Sequence, residues 1–188
     1  MLVAHELMAL IDSAKEEIVV ISAYLIPTPV LEDAVRRAEE RGVEVRLLTN
    51  SIRSNNHLTA HSAYRNHIEA LMSHGASLYE VRVDAEDRPF YIRTPIAEKH
   101  LALHAKALIV DHDRVFIGSA NLDPRSLRIN TEMGLLVESR ELNASLRSAV
   151  ERDFADGNAW RLQFDEAGRV NWVSRNDVLT LQPAASTL

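Results

Sequence analysis

His104 and Lys106 are the residues whose types and spacing can do chemistry. They open the segment His104-Ala105-Lys106-Ala107-Leu108-Ile109-Val110-Asp111. Two positions apart on an extended strand, imidazole and ammonium fall on one face, while Ala105, Ala107 and Ile109 fall on the other. The polar turn His112-Asp113-Arg114 leads into the apolar run Val115 to Ile117, which predicts a β-hairpin ended by Gly118. Ser119 and Asn121 follow at its mouth, and Asn130-Thr131-Glu132 lies close behind. This set suits phosphate. A phosphoryl transition state spreads negative charge over its oxygens, and fixed donors stabilise it. Lys106 supplies a point charge with three donors; Ser119 and Asn121 supply neutral donors. His104 can attack phosphorus or protonate a leaving oxygen. Glu132 is placed to hold the imidazole in one tautomer.

His-x-Lys-x4-Asp, then Gly-Ser-x-Asn, then Glu, resembles the signature of the phospholipase D superfamily. His104, Lys106, Asp111, Gly118, Ser119, Asn121 and Glu132 fill every position of it. The run Asn121-Leu122-Asp123-Pro124-Arg125-Ser126 resembles the version in bacterial cardiolipin synthases. Asn50-Ser51 and Ala60-His61-Ser62-Ala63-Tyr64 resemble their C type. The resemblance implies a phospholipase D-like α/β fold, a mixed β-sheet flanked by helices. It implies transfer of a phosphatidyl group through a phosphohistidine onto an alcohol, with phospholipids such as phosphatidylglycerol and phosphatidylethanolamine as substrates. With water in place of the alcohol, the same chemistry is phospholipase activity. His104, Lys106, Asp111 and Glu132 are then the expected catalytic residues. Lys106, Ser119, Asn121 and Arg125 are the expected phosphate contacts.

Each residue also has a bland reading. A histidine alone on a strand is usually structural, and a lone lysine is usually solvated. Asp111, at a strand end before a turn, fits a turn or salt-bridge role as well as a chemical one. Arg125 fits a phosphate or head-group contact, or an ion pair with Asp123 or Glu132. His57 and His61 have the four-residue spacing of a helical metal pair, without an evident acidic third ligand. By the resemblance, the loop from Asn50 to Tyr64 lies near the site rim, so His61 or Tyr64 can touch substrate or simply pack. Phe90-Tyr91-Ile92 can meet lipid, or tuck a long loop onto the body. No cofactor and no metal are expected, because Lys106 and a counterpart neutralise the phosphate.

One copy of the signature is present, and no second His-x-Lys occurs in the chain. Phospholipase D enzymes build one active site from two copies: one histidine attacks phosphorus and the other protonates the leaving alcohol. The expected partner is therefore a second signature, from an N-terminal half outside this sequence or from a homodimer mate. Two rival readings stand beside the phosphatidyltransferase. One is a homodimeric single-motif phosphodiesterase or nuclease; the other is a non-catalytic scaffold domain.

At 188 residues the chain is expected to form one domain with a small appendage: residues 1–156 as the catalytic unit and 157–188 as a C-terminal hairpin and tail. A net charge of −6 argues against broad nucleic-acid binding. There are no cysteines, which excludes disulfides and thiolate metal sites. Neither a signal peptide nor a run suited to a transmembrane helix is read, so a soluble, cytoplasmic chain with peripheral inner-membrane contact is expected.

The elements that must position the site follow from periodicity. A helix is predicted over residues 2–16, and a buried strand over Ile18 to Ile21. Thr28-Pro29 predicts a capped helix running to Arg41 and stopped by Gly42. Val43 to Leu48 is the next strand. Helix–strand–helix–strand order implies a partly parallel sheet. A single helix is expected from His61 to His74, a strand from Leu78 to Val83, an irregular stretch from Asp84 to His100, a strand from Met133 to Val137, and a helix from Glu141 to Phe154. Trp160 to Phe164 and Val170 to Val173 predict the C-terminal hairpin, with residues 182–188 frayed.

Overall fold

A computed structural model describes residues 2–55, 57–92 and 101–183. The chain begins with α1 (Leu2–Asp12), β1 (Glu17–Ser22), α2 (Pro29–Glu40) and β2 (Glu44–Asn50). Thr28 caps α2 by accepting from the Leu31 N–H, and Gly42, at φ +80°, turns the chain into β2. There follow α3 (Leu58–Arg65), α4 (Ile68–Ser73), β3 (Ser77–Val81) and the single turn α5 (Arg88–Tyr91). The hairpin is β4 (Lys106–Val110) and β5 (Arg114–Gly118). After it come α6 (Pro124–Arg128), β6 (Gly134–Glu138), α7 (Arg140–Phe154), β7 (Ala159–Phe164), β8 (Val170–Ser174) and β9 (Asp177–Leu179).

The nine strands among the described residues form one mixed sheet in the order β6-β5-β4-β1-β2-β3-β7-β8-β9. β1, β2 and β3 are parallel; β4 runs antiparallel to β1 and β7 antiparallel to β3. The C-terminal hairpin therefore continues the same sheet. β1 is apolar on both faces and buried along nearly its whole length, as a strand covered on both sides must be. On one face Ile18, Val20, Leu47, Leu78 and Leu108 pack against α1, α2, α4 and α6. On the other, Val19, Ile21, Leu48, Ile109 and Val115 pack against Val150 and Phe154 of α7.

Three expectations need correction. The helix predicted from His61 to His74 is two helices, which begin at Leu58 and break at Asn66-His67. His67 Nδ1 lies 2.6 Å from Glu32 Oε1 on α2, so a tertiary contact holds the break. The hairpin's first strand begins at Lys106, leaving His104 just before it. The stretch from Asp84 contains a helical turn at Arg88–Tyr91; the rest of that expectation, from residue 93 to 100, lies outside the described residues, as do 184–188 of the expected frayed end. Phe90 lies under the Arg152 guanidinium at 4.0 Å, and the Tyr91 hydroxyl donates to Asp153, so this turn is tucked onto α7.

Candidate active site

The antiparallel pairing of β4 with β1 sets Lys106 opposite Ser22, at the carboxyl end of β1. The same end of the sheet carries the close of β2 at Asn50, the close of β5 at Gly118 and the start of β6 at Gly134. Open α/β sheets generally bind ligands outside the carboxyl ends of their parallel strands. His104, Lys106, Ser119, Asn121 and Glu132 come from this end.

Lys106 Nζ donates to the His104 carbonyl oxygen at 2.6 Å and lies 3.3 Å from His104 Nδ1. The two side chains are thus on one face, and His104 is exposed. Burial pulls the Lys106 ammonium below the usual lysine range, and the charge of Glu132 opposes that pull. Ser119 Oγ donates to Glu132 Oε2 at 2.5 Å, and Asn130 Nδ2 donates to Glu132 Oε1 at 3.1 Å. The Ser119 hydroxyl is the main cause of a Glu132 pKa below the usual carboxylate range, with Asn130 and Lys106 adding. The hydrogen bonds of Glu132 thus go to Ser119 and Asn130 rather than to His104. Asn121 Oδ1 accepts weakly from the Tyr24 N–H, at 3.4 Å.

Asp111 does not join this group. It begins the turn after β4, at the far end of the strand. Its carboxylate accepts N–H bonds from Lys15, Glu16 and Glu17 at 2.9–3.3 Å and pairs with Arg114 at 2.5 Å. Burial opposes its ionisation, but those donors outweigh it and hold the pKa below the usual range. Its φ of +48° is a conformation that aspartate tolerates better than most residues. Asp111 is the anchor between the α1–β1 connection and the hairpin.

Arg125 is exposed and pairs with neither Asp123 nor Glu132; its Nε donates to Asn130 Oδ1 at 3.3 Å. Asp123 instead caps α6, accepting the Arg125 and Ser126 N–H groups at 2.8 Å. Arg125, Asn121, Tyr24 and His57 line one cavity of about 380 Å³. The exposed His57 ring meets Tyr24 edge-on at 5.3 Å, whereas His61 is buried against Tyr64, so the spacing of the two histidines reflects two separate environments. His104 itself lines a second cavity, about 250 Å³, whose wall is largely apolar, among others Val81, Ala85, Leu101 and Leu103.

Sequence reasoning missed several supports. Asn50 is buried, donates to the Ala23 and Leu103 carbonyls at 2.9 Å and accepts the Leu103 N–H at 2.8 Å, which fixes the segment just before His104. Ser22 Oγ accepts the Leu122 N–H at 3.0 Å and donates to the Tyr24 carbonyl at 2.8 Å. Asn130 bridges Arg125 and Glu132. Asn50 had a signal, a short amide at the end of an apolar strand; the other two had none beyond residue type.

A family described as "Cardiolipin synthase, PLD-like domain" matches residues 7–154. Cardiolipin synthase C of Escherichia coli strain K12 is 34% identical over 193 residues, which cover 98% of this chain and 40% of that protein. Cardiolipin synthase A of Pseudomonas aeruginosa is 31% identical over 148 residues, 78% of this chain and 26% of that protein. The chain therefore spans well under half the length of these relatives. Among solved structures, a phospholipase D family member, Nuc, from Salmonella typhimurium superposes with TM-score 0.62 at 22% identity, covering 83% of this chain and 89% of that one. Phosphatidylserine synthase of Haemophilus influenzae superposes with TM-score 0.60 at 16% identity, over 78% of this chain and 34% of that one. On the extent of the family match, this chain belongs to the phospholipase D-like domain family of cardiolipin synthases.

Proposed function

We propose that this chain is one catalytic half of a phosphatidyltransferase that joins phospholipids in the manner of a cardiolipin synthase. The observation that carries this reading is the His104–Lys106 pair at the end of the sheet from which Ser119 and Asn121 also come, with Glu132 close enough to Lys106 to act on its charge. In the forward step an imidazole nitrogen attacks phosphorus, a P–N bond forms and the P–O bond to the departing alcohol breaks. A proton passes to that alcohol's oxygen. The hydroxyl of a second lipid then attacks phosphorus, the P–N bond breaks, and the hydroxyl proton returns to the acid–base group. Lys106 neutralises the phosphate, while Ser119 and Asn121 donate to its oxygens. Phospholipid substrates place the work at a membrane surface, peripheral to the cytoplasmic face of the inner membrane. The apolar cavity behind His104 suits the glyceride end of the donor.

One imidazole cannot be nucleophile and leaving-group acid in the same step. His104 Nδ1 also faces an ammonium and finds no carboxylate in Glu132 to orient it. A second phospholipase D-like half supplies both missing groups. In longer relatives it can be a sister domain; for these 188 residues alone it is a second copy. Turnover on a chromogenic phosphodiester should therefore fall steeply as the protein is diluted, and His104→Asn should lower kcat roughly a thousandfold at any concentration. Full specific activity from a dilute monomer would refute the half-site; full activity in the His104 variant would refute the chemistry.

A further inference from the structure

A transferase that joins two phospholipids has to hold two anions at once, the phosphate that reacts and the phosphate of the alcohol that accepts it. A hydrolase needs only the first. We propose that the cavity walled by Tyr24, His57, Asn121 and Arg125 is the seat of the acceptor's own glycerophosphate group. This rests on the transfer reading above and names the subsite that distinguishes transfer from hydrolysis.

The cavity is lined by Asn121, one of the expected phosphate contacts. A short chain of hydrogen bonds joins the two: Arg125 Nε to Asn130 at 3.3 Å, Asn130 to Glu132 at 3.1 Å, and Ser119 to Glu132 at 2.5 Å. Glu132 thus links two cations, acting on the charge of Lys106 directly and reaching Arg125 of the cavity through Asn130. With Nε committed to Asn130, the terminal N–H groups of Arg125 present the fork that a phosphate accepts bidentately. The ion pairs of the described residues include none at Arg125, so no carboxylate competes for that fork. Asp123, the one carboxylate on the wall among the described residues, has its Oδ1 occupied by two N–H donors and its Oδ2 by the Ser126 hydroxyl.

The wall also carries the edge-on pair Tyr24–His57, apolar enough for glycerol carbons and bringing imidazole nitrogens for its hydroxyls. The walls are held to each other before any ligand arrives: the Ile26 N–H donates to the Leu122 carbonyl at 2.8 Å and the Leu122 N–H donates to Ser22 Oγ at 3.0 Å. Its volume of about 380 Å³ suits a head group rather than a whole lipid.

Glycerophosphoglycerol, the deacylated head group, is the probe, titrated by NMR into the 188-residue protein. In Lys106→Met, whose reaction site has lost its cation, the probe should still bind and should shift the resonances of His57 and Tyr24. Adding Arg125→Gln should weaken that binding roughly tenfold or more, with Arg125→Lys in between because it keeps the charge and loses the fork. In the active assembly, Arg125→Gln should lower the ratio of transfer to hydrolysis by a similar factor. The proposal fails if Lys106→Met alone abolishes binding, if Arg125→Gln leaves it unchanged in a protein whose spectrum shows the native fold, or if a short oligothymidylate occupies the cavity more tightly than the probe. Absence of any diester cleavage by the assembly sinks the transfer reading instead, and the binding titration tells the two failures apart.

Discussion

Asp111 and Lys106 lie on the same strand and its turn, five residues apart, and do different work. The signature groups them, but Asp111 spends its carboxylate on three backbone N–H groups and Arg114 at the end of the sheet away from His104. Replacing it by asparagine, which also tolerates a positive φ, isolates the charge. Because the folded pKa of Asp111 is depressed, its contribution is present above the unfolded carboxylate value near 3.9 and is lost as pH falls through the lower folded value. Asp111→Asn should therefore cost about 2–3 kcal/mol in urea unfolding at pH 7 and markedly less near pH 3. Turnover per folded molecule should stay within about threefold of wild type; a hundredfold loss of kcat at equal stability would restore Asp111 to the chemistry. At this scale the sequence was readable wherever spacing fixes a face. His104 and Lys106 fall together because alternation on an extended chain requires it, even though His104 precedes the strand proper. The partner of Glu132 was not readable, because the 119–132 loop folds back through α6 and gives that carboxylate to Ser119 and Asn130.

Among the elements, α3 ties the cavity to the core. Its first turn carries His57, Thr59 and Ala60 to the cavity wall, and its last turn lays Tyr64 over β3. There, Glu80 is fully buried. Burial raises its pKa to about 8; the Tyr64 hydroxyl and the Trp172 indole N–H favour the ionised form only in part. None of the three groups reaches hydrogen-bonding geometry. An acid with a raised folded pKa is neutral in the fold and ionised in the unfolded chain between the two values. The ionisation-linked cost of Glu80 is therefore absent below about pH 4.5 and grows as pH rises toward about 8, on top of the pH-independent cost of burying its unpaired carboxyl. Glu80→Gln should remove this slope: its unfolding free energy relative to wild type should improve from pH 5 to pH 8 in urea titrations. A difference independent of pH would show that Glu80 keeps its charge in the fold. Periodicity found α2, α7 and the parallel strands, whose burial patterns are regular. It missed the break between α3 and α4 because the cause, Glu32 on α2, is 35 residues away.

At the scale of the whole molecule, the sheet ends on one side in a strand that none of the described residues covers. β6 is an edge strand exposed along most of its length, with Leu135 64% and Leu136 46% exposed, while Ile129 and Met133 beside it are 79% and 78% exposed. A short continuous apolar run such as Leu135 to Val137 looks the same in sequence whether its faces meet a helix or a partner, so this opening could not be read before the strand order was known. Its position is informative. Met133 follows Glu132, and Ser119 both accepts from the Met133 N–H and donates to Glu132. Isolated apolar residues at a surface need no explanation, but several together at a sheet edge next to Ser119 and Glu132 do. Under the half-site reading proposed above, the second half is the expected occupant, because β6 starts at Gly134, at the end of the sheet that holds Lys106. Leu135→Glu tests this without touching the site. Leu135 is mostly exposed in the monomer, so the change should leave the thermal midpoint of the dilute protein within about 2 °C. It should abolish concentration-dependent self-association in analytical ultracentrifugation, and with it the turnover of concentrated protein, while the binding of a head-group probe by each half persists. Retention of both assembly and turnover in Leu135→Glu would move the second half to another face of the molecule.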